Sequence, residues 1–136
     1  MYENKIAIVI REDLPEWQKM NVTAFLASAV AIKFPGTHGK PFVNASGNEY
    51  LPFIKHPILI YKAADEQQVK RAFFRAKERE LNIGIYTNPL FATRNEEGNL
   101  IEIAKETDET QELAGIVIYG ENKKVDKAIK DLKFHS

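Results

Sequence analysis

The stretch from Lys5 to Ile32, KIAIVIREDLPEWQKMNVTAFLASAVAI, constrains the fold more than any other part of the chain. Ile6 to Ile10 is an unbroken apolar run, mostly β-branched, with charge on either side. Runs of that kind are strands covered on both faces, so the sequence predicts a central strand here. Met20 to Ile32 then carries apolar or small residues at nearly every position and neither Gly nor Pro. That pattern predicts a helix buried on most of its circumference, with Ala24, Ala27, Ala29 and Ala31 small enough for close packing. The corner between them, Arg11 to Lys19, follows the carboxyl end of a strand and precedes a helix N-terminus. Open α/β sheets bind ligands at such corners.

Phe34-Pro35-Gly36 ends the helix, since Pro cannot continue it and Gly accepts the left-handed turn. Residues 35 to 56 are rich in Gly, Pro, Asn and Ser and lack periodicity. Loops that long tend to be lids or binding loops. Short β pieces around Phe42-Val43 and Tyr50 to Ile54, joined by Asn44-Ala45-Ser46-Gly47, predict a small hairpin flap within it. Pro57 to Tyr61 reads as a second buried strand. Asp65 caps a helix over Glu66 to Arg79 whose apolar stripe is Val69, Ala72, Phe73 and Ala76. Ile83 to Tyr86 is a short third strand, and Thr87 to Thr93 the corner after it. From Glu96 to Glu112 the chain is acidic and polar around Leu100 to Ala104, which reads as a marginal strand or hairpin edge. Ala114 to Tyr119 is the last buried strand, and Lys123 to Leu132 an amphipathic helix. The alternation predicts a three-layer α/β/α sandwich around a mixed, mostly parallel sheet of four or five strands.

At 136 residues the chain suits a single domain spanning 1–136. It has no Cys, which excludes a disulfide framework or thiolate-held metal. With 19 basic and 19 acidic residues it lacks the electropositive balance of a dedicated nucleic-acid binder. No apolar run approaches the ~20 residues of a membrane span, and Met1 to Lys5 have no apolar signal region. A cytoplasmic protein is the expectation.

Lys19 stands at the start of the Ala-rich helix, with Thr23 one turn later on the same side. A cation, a hydroxyl and free backbone N–H groups there would receive an anion or polarised carbonyl, although a lysine beside a helix start is more often solvated surface. Arg11 reads either as a bidentate clamp for an anion or as the partner of Asp13. Asn21 lies on the same helix, and Trp17 either closes over a ligand or staples the helix start. His38 sits in the long loop between glycines and is the histidine to test as acid or base. Ser46 lacks a nucleophile elbow and reads as a turn hydroxyl. The histidines have no metal-ligand spacing, so no metal and no cofactor are expected. Arg71, Arg75 and Arg79 recur every four residues and would track an RNA backbone or simply face solvent.

The strand ending Arg11-Glu12-Asp13-Leu14, then Lys19 and the Ala-rich helix, resembles the opening of peptidyl-tRNA hydrolase II, and Ala114 to Tyr119 with its Lys-rich helix resembles that family's close. Lys19-Met20-Asn21-Val22-Thr23-Ala24-Phe25-Leu26 and Asn44-Ala45-Ser46-Gly47 are similar to the bacterial domain of unknown function 2000 family. The resemblance implies a peptidyl-tRNA hydrolase II-like fold and allows a homodimer. It also implies a site built from a Lys before the first helix, a Gln one turn on, a His beyond it, and an Asp and a Thr after the third strand. Here Lys19 is kept, while Thr23, Leu26 and Asn88 stand where Gln, His and Asp are implied, and Thr93 is nearest to the Thr. Asn has no carboxylate to serve as a base, which weighs against peptidyl-tRNA hydrolysis itself. Two functions remain in view. One is a hydrolase- or transferase-like enzyme on a small acyl or nucleotide-linked substrate, with Lys19 as stabiliser, Thr23, Asn88 and Thr93 around it, and Arg11, Asn21, Trp17, His38 and Ser46 binding. The other is a non-catalytic module that holds an anionic small molecule or RNA end in the same cleft.

Overall fold

The structure, a computed structural model, describes residues 2–135, with Met1 and Ser136 outside it. In chain order it contains strand β1 (Asn4–Arg11), helix α1 (Glu16–Lys33), the hairpin strands β2 (Phe42–Val43) and β3 (Glu49–Tyr50), strand β4 (Ile58–Ala63), helix α2 (Glu66–Glu78), strand β5 (Asn82–Thr87), helix α3 (Glu96–Ala104), strand β6 (Leu113–Glu121), helix α4 (Asn122–Ala128) and strand β7 (Lys133–Phe134). Short 3-10 turns cover Pro35–Thr37 and Asn88–Ala92. No helix among the described residues is long and apolar enough to cross a membrane.

The main sheet has five strands in the order β5-β6-β1-β4-β7. It is mixed, but the expectation of a mostly parallel sheet is corrected. Only β1 and β4 pair in parallel, while β1 with β6, β5 with β6, and β4 with β7 are antiparallel. An apolar run reports that both faces of a strand are covered, and that is equally true of β6, whose Leu113 to Tyr119 are all buried. Coverage carries no information on strand direction. Because β6 runs backwards between them, β1, β4 and β5 still point the same way and end at one edge of the sheet.

Two apolar layers flank the sheet. On one side Ile6, Ile8 and Ile10 pack with Val22, Leu26 and Val30 of α1. On the other, Ala7, Val9, Ile116 and Ile118 pack with Val69, Ala72, Phe73 and Ala76 of α2 and Val125 and Ala128 of α4. Period-two alternation therefore divides β1 between both layers. The α2 stripe and its Asp65 cap, which accepts from the Gln68 N–H at 3.0 Å, are as predicted.

Three further expectations are corrected. Helix α1 starts at Glu16 rather than Met20, behind Pro15, whose carbonyl accepts from Gln18 and Lys19 N–H. It is not buried around most of its girth: only Val22, Leu26 and Val30 are buried, and Met20 and Ile32 are 69% and 81% exposed. The segment read as a marginal strand is α3, capped by Asn95, which accepts from the Gly98 N–H at 2.8 Å. The expected hairpin forms at Phe42–Val43, with its second strand at Glu49–Tyr50 rather than Tyr50 to Ile54 and its turn closed by Asn44 and by Gly47 at φ +80.

Gly115 on β6 lets α1 approach the sheet, since a Cβ there would lie 2.9 Å from the Val9 carbonyl oxygen and 3.0 Å from Val22. Gly115→Val is expected to destabilise the fold by about 1–3 kcal/mol, the usual cost of overpacking, read as a lower urea midpoint with unchanged slope. His56 lies against Tyr2, the rings tilted by 31° with centroids 4.1 Å apart, and its buried Nδ1 has no hydrogen-bond partner among the described residues. Desolvation, helped by Lys55, lowers its pKa. A base held neutral by the fold contributes stability above its unfolded value of about 6.5 that drains away as pH falls through the lowered one. Thermal stability should therefore decline from pH 6.5 downward before the carboxylates titrate, and His56→Phe should flatten that decline.

Candidate functional site

The corners after β1 and β5 meet. Arg11 grips Asp13 with two bonds, Nε to Oδ1 at 3.0 Å and Nη2 to Oδ2 at 2.9 Å, and its Nη1 reaches Asn88 Oδ1 at 3.5 Å. Asn88 donates through Nδ2 to Glu112 at 3.0 Å, and its backbone N–H donates to the Glu112 carbonyl at 2.9 Å. The hydrogen bond from Arg11 holds the Asp13 carboxyl below its ordinary value, and the same bond raises Arg11 against the opposing effect of burial. Of the two readings open for Arg11, this geometry is that of the Asp13 partner. Asn88 borders a separate hollow of about 390 Å³ with Thr87, Thr110 and Glu112.

The remaining residues are divided by α1. On the flank toward β4, Lys19 and Thr23 border a groove of about 460 Å³ with Met20, Ala24, Ile10 and Ile60. The Thr23 hydroxyl donates to the Lys19 carbonyl at 2.7 Å, and Lys19 makes no ion pair among the described residues. On the flank toward β5, Trp17, Asn21 and Thr93 border a cleft of about 630 Å³. The expectation of one shared cleft for Lys19, Thr23, Asn88 and Thr93 is thereby corrected. The reason is angular: Thr23 lies about 160° around a 3.6-residue helix from Asn21. Spacing showed that these residues shared a helix, but not that its two flanks open separately.

His38 and Ser46 belong to neither groove. The His38 Nε2 lies 2.6 Å from the Ala31 carbonyl and ties the hairpin's root to the end of α1. Ser46 sits in the hairpin turn, where its backbone N–H donates to Asn44. Of the arginine row on α2, Arg71 and Arg75 are both bridged to Asp131, at 3.0 and 2.7 Å.

The β5-side cleft is walled by rings. Trp17 meets Phe91 edge-on at 6.0 Å, Phe91 lies 5.0 Å from Tyr86, and Tyr86 lies 6.0 Å from Phe25. Gly84 leaves room for its cross-strand partner Val117, since a Cβ there would sit 2.7 Å from that side chain. At the far wall the Thr93 hydroxyl lies 2.9 Å from the Leu90 carbonyl and against the side-chain amide of Asn99. The one hydroxyl proton has two acceptors within reach, the Leu90 carbonyl and the Asn99 Oδ1. Arg94 stands at the exposed rim and forms no ion pair among the described residues, unlike Arg11, Arg71 and Arg75. Rings for a flat apolar body, amides for its polar edge and a free guanidinium for an anion make a ligand-sized site. The expectations from sequence left out Phe25, Tyr86, Phe91, Arg94 and Asn99. An aromatic inside the corner Thr87 to Thr93, followed directly by an arginine, was the available signal; the Glu96 side chain borders the same cleft as Arg94 without pairing with it.

Fold and site together define a small α/β domain with a mixed five-stranded sheet and a ring-lined cleft beside one helix. The chain belongs to the family described as protein of unknown function (DUF2000), which matches residues 4–136. Among solved structures it is similar to a protein of unknown function from Agrobacterium tumefaciens strain C58, at 32% identity and a TM-score of 0.95 over 100% of both chains. No curated protein matches it.

Trp17 is the single tryptophan, so its emission reports on this cleft alone. Phe91→Ala should open the Trp17 edge to water and shift that emission to the red, with the far-UV spectrum unchanged.

Proposed function

We propose that this chain is a binding module whose β5-side cleft holds a small anion with a flat, unsaturated body. The carrying observation is the pairing of four aromatic walls with the unpaired guanidinium of Arg94 at the rim. Catalysis has weaker support, because Lys19, Thr23 and Thr93 stand on two sides of α1 and both hydroxyls lie against backbone carbonyls. An RNA end is the less favoured ligand, since the net charge is zero and Arg71 and Arg75 are engaged by Asp131.

The test is titration of Trp17 emission with adenosine monophosphate and with naphthoate. Saturable quenching by one or both is expected. Arg94→Ala should weaken the charged probe about tenfold, the worth of one charge-assisted bond, and leave uncharged analogues unaffected. No quenching by either probe would overturn the reading. The enzyme reading, a peptidyl-tRNA hydrolase II-like hydrolase or transferase, draws its support from the likeness of the β1 corner and Lys19. Turnover of peptidyl-tRNA or simple esters, lost in a folded Lys19→Ala variant, would establish it in place of the binding module.

A further inference from the structure

We propose that two copies of this chain associate about a two-fold axis, the hairpin arm of each filling the β4-side groove of the other. This interface is separate from the ligand cleft and does not depend on it.

The arm is formed but uncovered. Its root is a short ladder in which the Gly39 N–H donates to the Phe53 carbonyl and the Lys55 N–H to the Thr37 carbonyl, both at 2.9 Å. Thr37 there is fully buried and its hydroxyl donates to Phe34. From Lys40 to Phe53, by contrast, every residue is exposed. That includes Phe42, Val43, Tyr50, Leu51 and Phe53, the last two at 85% and 72%. A two-stranded hairpin is at best marginal in water without a surface to lie on, and large side chains clustered in the open mark an interaction site.

The groove is the complementary half. Helix α1 packs on β6, β1 and β5, which leaves Ile60 and the Met20 and Ala24 side of the helix facing a hollow of about 460 Å³. Ile58, one step along β4, is also exposed. With about seven residues a leg at ~3.3 Å each, the arm reaches ~20 Å, enough for most of the ~27 Å length of α1.

Three observations select a second copy as the occupant. The first is area: the five arm residues with Met20 and Ile58, at roughly 100 Å² of exposed surface each, supply about 700 Å² per copy, close to the ~800 Å² per partner of a standard interface. The second is charge. The groove's rim carries Glu16 and Lys19 and the arm carries Lys40 and Glu49, and none of the four forms an ion pair among the described residues. The third is net charge, which is zero, so two copies meet without long-range repulsion. Arm and groove sit on one chain, so a two-fold axis satisfies both contacts at once.

The experiment is sedimentation velocity across micromolar concentrations. The unaltered chain should sediment at twice its 15.5 kDa mass. An arm variant, Leu51→Asp with Phe53→Ser, and a groove variant, Met20→Glu with Ala24→Glu, should each sediment as monomers with unchanged circular dichroism. Mixed together they should regain the dimer mass, because one intact arm meets one intact groove. A monomeric unaltered chain, a dimer that survives both variants, or a mixture that stays monomeric would each overturn the proposal. So would a monomer that pellets with neutral phosphatidylcholine vesicles through Leu51, which would make lipid the occupant.

Discussion

One helix cannot cover one face of this sheet. A helix with its side chains is about 10–12 Å across, whereas five strands at ~4.8 Å spacing present ~20 Å. The opposite face solves the problem with two helices, α2 and α4, and its layer includes side chains from all the long strands. Behind α1 there is no second helix. The helix sits over the middle of the sheet, anchored by Val22, Leu26 and Val30 in Ile6, Ile8 and Ile10, and a trough remains along each flank. Every cavity that involves α1 follows from that shortfall in width.

The two troughs differ because different strands floor them. Toward β4 the floor is aliphatic and only the rim is polar. Toward β5 the chain leaves the sheet through Pro89 and folds Leu90, Phe91 and Thr93 back beside α1, which adds rings and amides to the wall. Rings and amides therefore gather on one side, and aliphatic side chains flanked by Glu16, Lys19, Thr23 and His135 on the other. Between the strand ends, the Arg11, Asp13, Asn88 and Glu112 network ties the two corners together.

Much of this was legible in the sequence. The buried run of β1, the stripe and cap of α2, the hairpin and the buried run of β6 each rest on a local signal that the packing did not override. Strand direction was not legible, because Leu113 to Tyr119 look the same whichever way they run. Helix α3 was missed because its few apolar residues, Leu100, Ile101 and Ile103, stand in an acidic, polar segment with Gly98 in the first turn, although Asn95 followed by two glutamates is a helix-start pattern. The apolar length of α1 was over-read as burial. Its hydrocarbon serves the interior on one stripe only, and composition cannot say what the other stripes are for. The site was half legible: the corners meet where strand-end geometry puts them, but the helix that divides Lys19 from Thr93 appears only in three dimensions.

The hairpin is joined to the body through a few backbone bonds at its root and gives no side chain between Lys40 and Phe53 to either hydrophobic layer. Substitutions in it are thus nearly invisible to the folding equilibrium of a single chain. Selection on that segment acts through whatever it touches outside its own chain, so its sequence is free to drift, or to be tuned, at a pace unrelated to that of the core.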